Sequence, residues 1–332
     1  MKKHALLANN RPRRIIQLLF CLAVLYTGWQ FFTYIQWATG ASTTPVTRPA
    51  SVEAFLPISA FLAAKRLLLT GQYDTIHPAG LTIFLFAIGT GLLLRRSFCG
   101  YMCPLGYATG LLHRLGMRLR LTMRLNAPVS LLLSLPKYFL LAGFAKLILW
   151  DMDLASMEAF LQSPYNFVAD AKMLRYFTDP SVATLVGLAV FTAGSLVIPG
   201  LWCRGFCPYG ALLGIFSWLS PIAVARDADA CIGCGACTKA CPSRIDVQKK
   251  LRVTTPECYG CAECVSACPV DTCLSLSAGY GAKKQRLPVW SLALLTVAAF
   301  ALCYFIAVST GHWESALPPG MHQRMYQMFL AL

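Results

Sequence analysis

The chain has 332 residues, 57% of them hydrophobic and only 13% charged, with a mean hydropathy of +0.57 and a net charge of +15. That balance excludes an ordinary soluble globular domain, which carries about twice the charged fraction (roughly 25%), and it excludes a disordered chain, which is poor in apolar residues. A nucleic-acid partner is not expected either, because the arginines flank apolar stretches and no recognition module is visible.

From the N-terminus, Lys2, Lys3, Arg11, Arg13 and Arg14 precede an apolar stretch at about 15–35, long enough to cross a bilayer. A cleaved signal peptide would have a shorter apolar core and a small-x-small site before the polar stretch 39–49, so an uncleaved anchor is predicted. The apolar segment 54–69 contains Pro57 and carries Lys65 and Arg66 near its end. Its length and charge predict an interfacial or re-entrant helix. Further spans are predicted at about 79–94, 128–150, 181–201 and 287–310, which makes five.

A repeat follows two of these spans. Phe98-Cys99-Gly-Tyr-Met-Cys103-Pro104-Leu-Gly106 comes after the second, and Trp202-Cys203-Arg-Gly-Phe-Cys207-Pro208-Tyr-Gly210 after the fourth. Two copies in equivalent positions predict a pseudo-symmetric bundle. The proline forces each second cysteine out of helical geometry. Three roles are open to Cys99, Cys103, Cys203 and Cys207. They are packing residues, or redox thiols that bind a third metal centre or act as dithiols, or contacts for a quinone headgroup or for docked clusters.

The most specific signal lies between the fourth and fifth spans. Cys231, Cys234, Cys237 and Cys241 are followed by Pro242, and Cys258, Cys261, Cys264 and Cys268 by Pro269. This is the bacterial ferredoxin run in tandem, in which the fourth cysteine of each run ligates the other cluster. Cys231, Cys234, Cys237 and Cys268 are therefore assigned to one 4Fe-4S cluster, and Cys258, Cys261, Cys264 and Cys241 to a second. Zinc sites pair two Cys-x2-Cys knuckles across a longer loop, and disulfide frameworks belong to small secreted domains, so neither fits this spacing. The fold class expected is a mainly α integral membrane protein with about five transmembrane helices and a small α+β two-cluster ferredoxin module. Its divisions are a membrane domain at 1–222, the ferredoxin domain at 223–282 and a C-terminal span with a short tail at 283–332.

Basic residues gather at the N-terminus, in the loop carrying Arg95, Arg96, Arg114, Arg118, Arg120 and Arg124, and across 203–286. Acidic residues Asp74, Asp151, Asp153, Glu158, Asp170 and Asp179 occupy the alternate loops. The positive-inside rule then places the N-terminus and the ferredoxin module in the cytoplasm, where a reducing compartment keeps thiols available for iron.

Single residues give weaker signals. His77 and His113 are candidate quinone contacts, with a hydrated tip as the ordinary reading of each. Lys137 and Lys146 fall within a span, where an amine must snorkel or find a partner. Cys21 and Cys303 read as packing residues, and Cys273 as packing against the cluster of the second run.

Spans, paired Cys-x3-Cys-Pro motifs and the tandem cysteine run together resemble the NapH/NosR/MauN group of membrane polyferredoxins. The resemblance implies a component of the bacterial cytoplasmic (inner) membrane that relays electrons between a quinol pool or cytoplasmic donor and a partner redox protein, such as a ferredoxin-type subunit or periplasmic reductase. It makes the chain an electron-transfer component of an oxidoreductase system, with a quinol dehydrogenase subunit as one form. No covalent-flavin Ser/Thr-Gly-Ala-Thr motif is found, so a NosR-type flavin relay is not expected. Two other functions stay open: a thiol-dependent copper reductase or assembly factor of the CcoG type, and a redox-sensing regulator.

Overall fold

Proline and glycine punctuate the apolar runs and set the element boundaries. The computed structural model describes residues 10–123, 127–279 and 285–330. Lys2, Lys3 and Arg124, counted above among the basic flanks, lie outside the described residues. Helix α1 (Arg11–Ala38) is 28 residues long and leaves Leu22, Leu25 and Trp29 exposed along its length. With the helical stretch Leu131–Asp151 and the late helix Ser291–Ser309, it makes three helices, among the described residues, long and apolar enough to cross a membrane.

The remaining apolar segments take different forms. Helix α2 (Pro57–Thr70) has 14 residues, about 21 Å at 1.5 Å per residue, too short for a hydrocarbon core of about 30 Å. Pro57 starts it and Gly71, at φ +72°, ends it. Helix α3 (Pro78–Leu94) has 17 residues, about 26 Å, and buries Ala79, Leu81, Phe84 and Ala87 in protein. After α4 (Pro104–Arg118) and α5 (Ala127–Lys146) come α6 (Leu154–Leu161), α7 (Pro164–Phe167), α8 (Ala169–Thr178) and α9 (Val182–Val197). The span expected at 181–201 ends early at Val197, because Pro199 cannot donate and Gly200 turns left-handed at φ +63°. Helices α8 and α9 meet at 75° and count as a fourth crossing only if taken as one broken span.

Two compact units emerge, one drawn from within 1–21, 87–141 and 189–299, the other from within 22–86, 142–188 and 300–332.

The first unit holds α10 (Pro208–Phe216) and a four-stranded antiparallel sheet. Its strands are β1 (Ala223–Arg226), β2 (Arg252–Val253), β3 (Leu274–Ala278) and β4 (Gln285–Leu287), in the order β2-β1-β3-β4. Val224 pairs with both Val253 and Leu276, and all three are buried. Short helices α11 (Ala236–Ala240) and α12 (Glu263–Ser266) sit within the two cysteine runs. Helix α13 (Ser291–Ser309) then leads towards α14 (Pro319–Leu330) of the second unit.

The second unit packs Phe31, Tyr34, Val52, Ile76, Phe167 and Tyr326 into one core. Beside it lies a buried ion network. Arg48 donates to Glu53 at 2.8 Å and to Asp170 at 2.7 Å, and the Tyr326 hydroxyl donates to Asp170 at 2.9 Å. The expected hydrated tip of His77 is instead a buried ring. Its Nε2 is 2.8 Å from the Asn166 carbonyl, and its Nδ1 is 3.4 Å from Glu53 Oε1. Lys65 donates to the carbonyls of Ile148 and Met152 at 2.9 and 2.6 Å, and so caps the π-helical turn Leu147–Asp151.

Two outcomes follow for this unit. Arg48→Met strands two buried carboxylates and should cost about 3–5 kcal/mol, read as a lowered unfolding midpoint in detergent. Burial pushes the His77 pKa down, but the hydrogen bond and charge of Glu53 outweigh it and raise the pKa above the ordinary value. Stabilisation by His77 is then complete below about pH 6.5 and is lost as pH rises through the higher folded value. The stability gap between wild type and His77→Gln should narrow above neutral pH; a gap that does not change with pH rules the linkage out.

Candidate functional site

Both cysteine runs fold into the same left-handed turn. Gly233 and Gly260 sit at φ +71° and +66°, and two residues later Gly235 and Ala262 sit at +69° and +53°. Successive turns of this hand point backbone N–H groups into a concavity suited to negative charge. One cavity is lined by Cys231, Cys234, Cys237 and Cys268, with Cys273 as a fifth thiol. A second is lined by Cys258, Cys261, Cys264 and Cys241. Each cavity thus takes three cysteines from one run and the fourth from the other. Among the described residues no three His, Cys, Asp or Glu side chains converge on a single ion. Four thiols spread around a cavity suit the width of an iron-sulfur cubane.

The cavities differ in exposure. Cys234 is exposed and Ile232 is 68% exposed at the first, whereas all four cysteines of the second are buried. Burial pushes the Cys241 thiol up to about 12. At the first cavity the Gly233 N–H, helped by Arg226 and Cys273, holds Cys231 below the usual thiol range.

The buried loop is clasped from several directions. Arg95 donates to the carbonyls of Ser217, Val253 and Thr254, and Arg96 to that of Pro256 at 2.9 Å. The Arg96 guanidinium also lies over the Tyr259 ring at 4.9 Å. Tyr101 donates to the Gly260 carbonyl at 3.1 Å, and Arg13 pairs with Glu263 at 2.8 Å while donating to Gly100. Lys137 is fully buried and reaches Glu257 at 2.5 Å. Its expected snorkelling does not occur, because a carboxylate is supplied beside it.

The Cys-x3-Cys-Pro motifs form matching π-helical turns, Phe98–Met102 and Trp202–Phe206. Each closes with an i to i−5 bond, Cys103 N–H to Phe98 O and Cys207 N–H to Trp202 O, both at 3.0 Å. Cys103 and Cys207 are extended, as the following proline requires, and each caps a helix, α4 or α10. Gly210 N–H donates to Cys207 Sγ at 3.2 Å, whereas the Cys103 side chain makes no such cap bond. The four sulfurs lie within electrostatic reach of one another in all pairs. Burial, then Cys207 and Cys99, push Cys203 up to about 12; burial raises Cys103 and Cys207 as well. Arg96 reaches Cys99 and Cys203, and Tyr259, which lines the second cavity, reaches the same two sulfurs.

Comparison with known proteins matches this layout. Residues 223–269 fit the family model for a 4Fe-4S dicluster domain, and residues 76–122 and 181–224 each fit a 4Fe-4S binding domain. The "Putative electron transport protein YccM" of Escherichia coli (strain K12) is 36% identical over 94% of this chain and 89% of its own length. The chain belongs to the NapH/MauN-like family of ferredoxin-type proteins. Within that family, the methylamine utilization ferredoxin-type protein MauN of Paracoccus denitrificans is 29% identical over 44% of this chain and 48% of its own. The ferredoxin-type protein NapH of Escherichia coli is 26% identical over 48% and 55%. No solved structure matches. The double match to one binding-domain model bears on the internal repeat, since its two segments contain the two Cys-x3-Cys-Pro motifs.

For this member of the NapH/MauN-like family, the remaining sequence candidates fall as follows. Lys146 is 71% exposed and pairs with Asp151 at 2.7 Å. His113 is half-buried on α4, and burial with the charges of Arg244 and Arg114 lowers its pKa. Cys21 and Cys303 are partly buried in α1 and α13. Sequence reasoning missed Arg95 and Arg96 as site residues and counted them only as flanking charge, although they are 0% and 1% exposed. The signal available was asymmetry: an Arg-Arg pair precedes the first motif but not the second.

The glycine of each motif is held by close contact. A Cβ at Gly106 would lie 2.6 Å from the Cys99 carbonyl oxygen, and one at Gly210 2.7 Å from the Arg96 guanidinium. Gly106→Ala meets rigid backbone and should cost about 1–3 kcal/mol or more, whereas at Gly210 the arginine can shift. Thermal unfolding should rank Gly106→Ala as the more damaging; the reverse order would contradict this packing.

Proposed function

We propose that the chain is an integral protein of the bacterial cytoplasmic membrane that relays single electrons through two 4Fe-4S clusters. The donor and acceptor are the quinol pool or a cytoplasmic donor on one side and a partner reductase on the other. The observation that carries the reading is the crossed cysteine lining of the two cavities. Cys231, Cys234, Cys237 and Cys268 would hold one cluster, and Cys258, Cys261, Cys264 and Cys241 the other. A bound cluster supplies a one-electron couple whose potential its surroundings set. The chain's own part is to present thiolates, aim N–H groups at the cavities and keep water from the second one. The exposed first cavity suits exchange with a soluble partner. Basic residues beside the motifs support a cytoplasmic position for the module.

Cys99, Cys103, Cys203 and Cys207 form the next station in this reading, as a third metal centre or as contacts for a quinone headgroup. Tyr259 and Arg96 lie between them and the second cavity.

Anaerobically purified protein should contain about eight iron per chain, or about twelve if the four motif thiols hold a cluster. Cys241→Ser should remove the cluster of the Cys258 run and spare that of the Cys231 run; loss of the latter alone would refute crossed ligation. Clusters that no quinol analogue reduces, in a protein that reduces cupric ion until Cys99 and Cys203 are replaced by alanine, would sink the quinol relay.

A further inference from the structure

The two cavities differ chemically, and the difference gathers at one sulfur. Arg226, at the end of β1, faces Leu274 at the start of β3 across the ladder, which brings Arg226 and Cys273 to the wall of the first cavity. Cys273 is buried, and its position is fixed by the Asp227 N–H donating to its carbonyl at 2.8 Å. Arg226 and Cys273 both line the cavity together with Cys231, and both favour negative charge on its sulfur, as does the Gly233 N–H. Cys273 also lies against Cys268, and the Asp227 carbonyl at 3.7 Å is a further acceptor for its hydrogen.

Nothing equivalent lines the second cavity. Past Cys241 its wall is made by Ile245 and Val247, with Val224 and Val253 opposite, and it has neither a basic side chain nor a fifth thiol. The charge of Arg13 reaches Cys261, but Glu263 neutralises it at 2.8 Å.

We propose that Arg226 and Cys273, at the wall of the first cavity beside Cys231, are tuning residues that raise the reduction potential of the centre there above that in the second. The inference rests on the two-cluster reading. Reduction adds one electron and one negative charge. A cation and donors at a ligand sulfur stabilise that charge, and a dry apolar wall does not. Electrons within the module then settle on the exposed centre, where a soluble partner can reach them.

The test is a redox titration of the full-length protein in detergent, followed by electron paramagnetic resonance. Wild type should give two 4Fe-4S signals with distinct midpoints, and Cys234→Ser identifies which belongs to the first cavity. Fewer than two signals in wild type would sink the two-cluster reading itself, and with it this inference. Cys273→Ala and Arg226→Met should keep both signals, lower the midpoint of the first centre and leave the second unmoved. Cys273→Ser keeps a hydroxyl donor and should restore most of the loss. Unmoved midpoints, or equal shifts at both centres, would overturn the proposal. So would loss of a cluster in Cys273→Ala that Cys268→Ala does not produce, since Cys273 would then be a ligand.

Discussion

A loop that turns its N–H groups inward must leave carbonyls outside, and buried carbonyls need donors. At the second cysteine run those donors are side chains: Arg95 for Val253 and Thr254, Arg96 for Pro256, Tyr101 for Gly260. The rest of the first unit is arranged around this exchange. Guanidinium groups suit it because each offers several donors in a fixed plane and remains charged when buried. Burial opposes the charge on Arg96, but Cys99, Tyr259 and Glu257 beside it raise its pKa further. The same side chain therefore satisfies the loop and supplies a positive charge next to the motif sulfurs.

Close approach is the second constraint. Gly100 lies where a Cβ would be 2.9 Å from the Tyr259 carbonyl oxygen, and Gly260 where one would be 2.7 Å from Leu292. The loop and the first π-helical turn meet backbone to backbone, which side chains larger than hydrogen would prevent. The two π-helical turns close with the same backbone bond, yet only the first is preceded by arginines. Local repetition builds the four-thiol group, and the departure from repetition joins it to the ferredoxin loop.

How much was legible depended on range. The ferredoxin runs and the extended cysteines before proline are set within a few residues, so spacing sufficed to expect them. The bend before α9 and its early end were written at Pro180, Pro199 and Gly200, but the apolar run through them hid the breaks. Lys137, His77, Arg95 and Arg96 were misread for another reason. A charged side chain in sequence has no visible partner, and each of these finds its partner far along the chain: Glu257 for Lys137, Asn166 for His77, residues 253–256 for the arginines. The cysteine spacing supplied the electron-transfer reading, and family resemblance the quinol and partner reductase.

Cys103 and Cys207 sit where α4 and α10 begin, at the electropositive ends of two helices, with Arg96 near Cys99 and Cys203. Where an electron reaches such a site, little has to move. The dipoles are already oriented by the hydrogen bonds that hold the turns, so the reorganisation energy is small and the rate of transfer is governed by distance and driving force. The Gly-N–H to sulfur contact at Gly210, in that light, is a solvent shell made of backbone, built once when the chain folds and not rebuilt at each turnover.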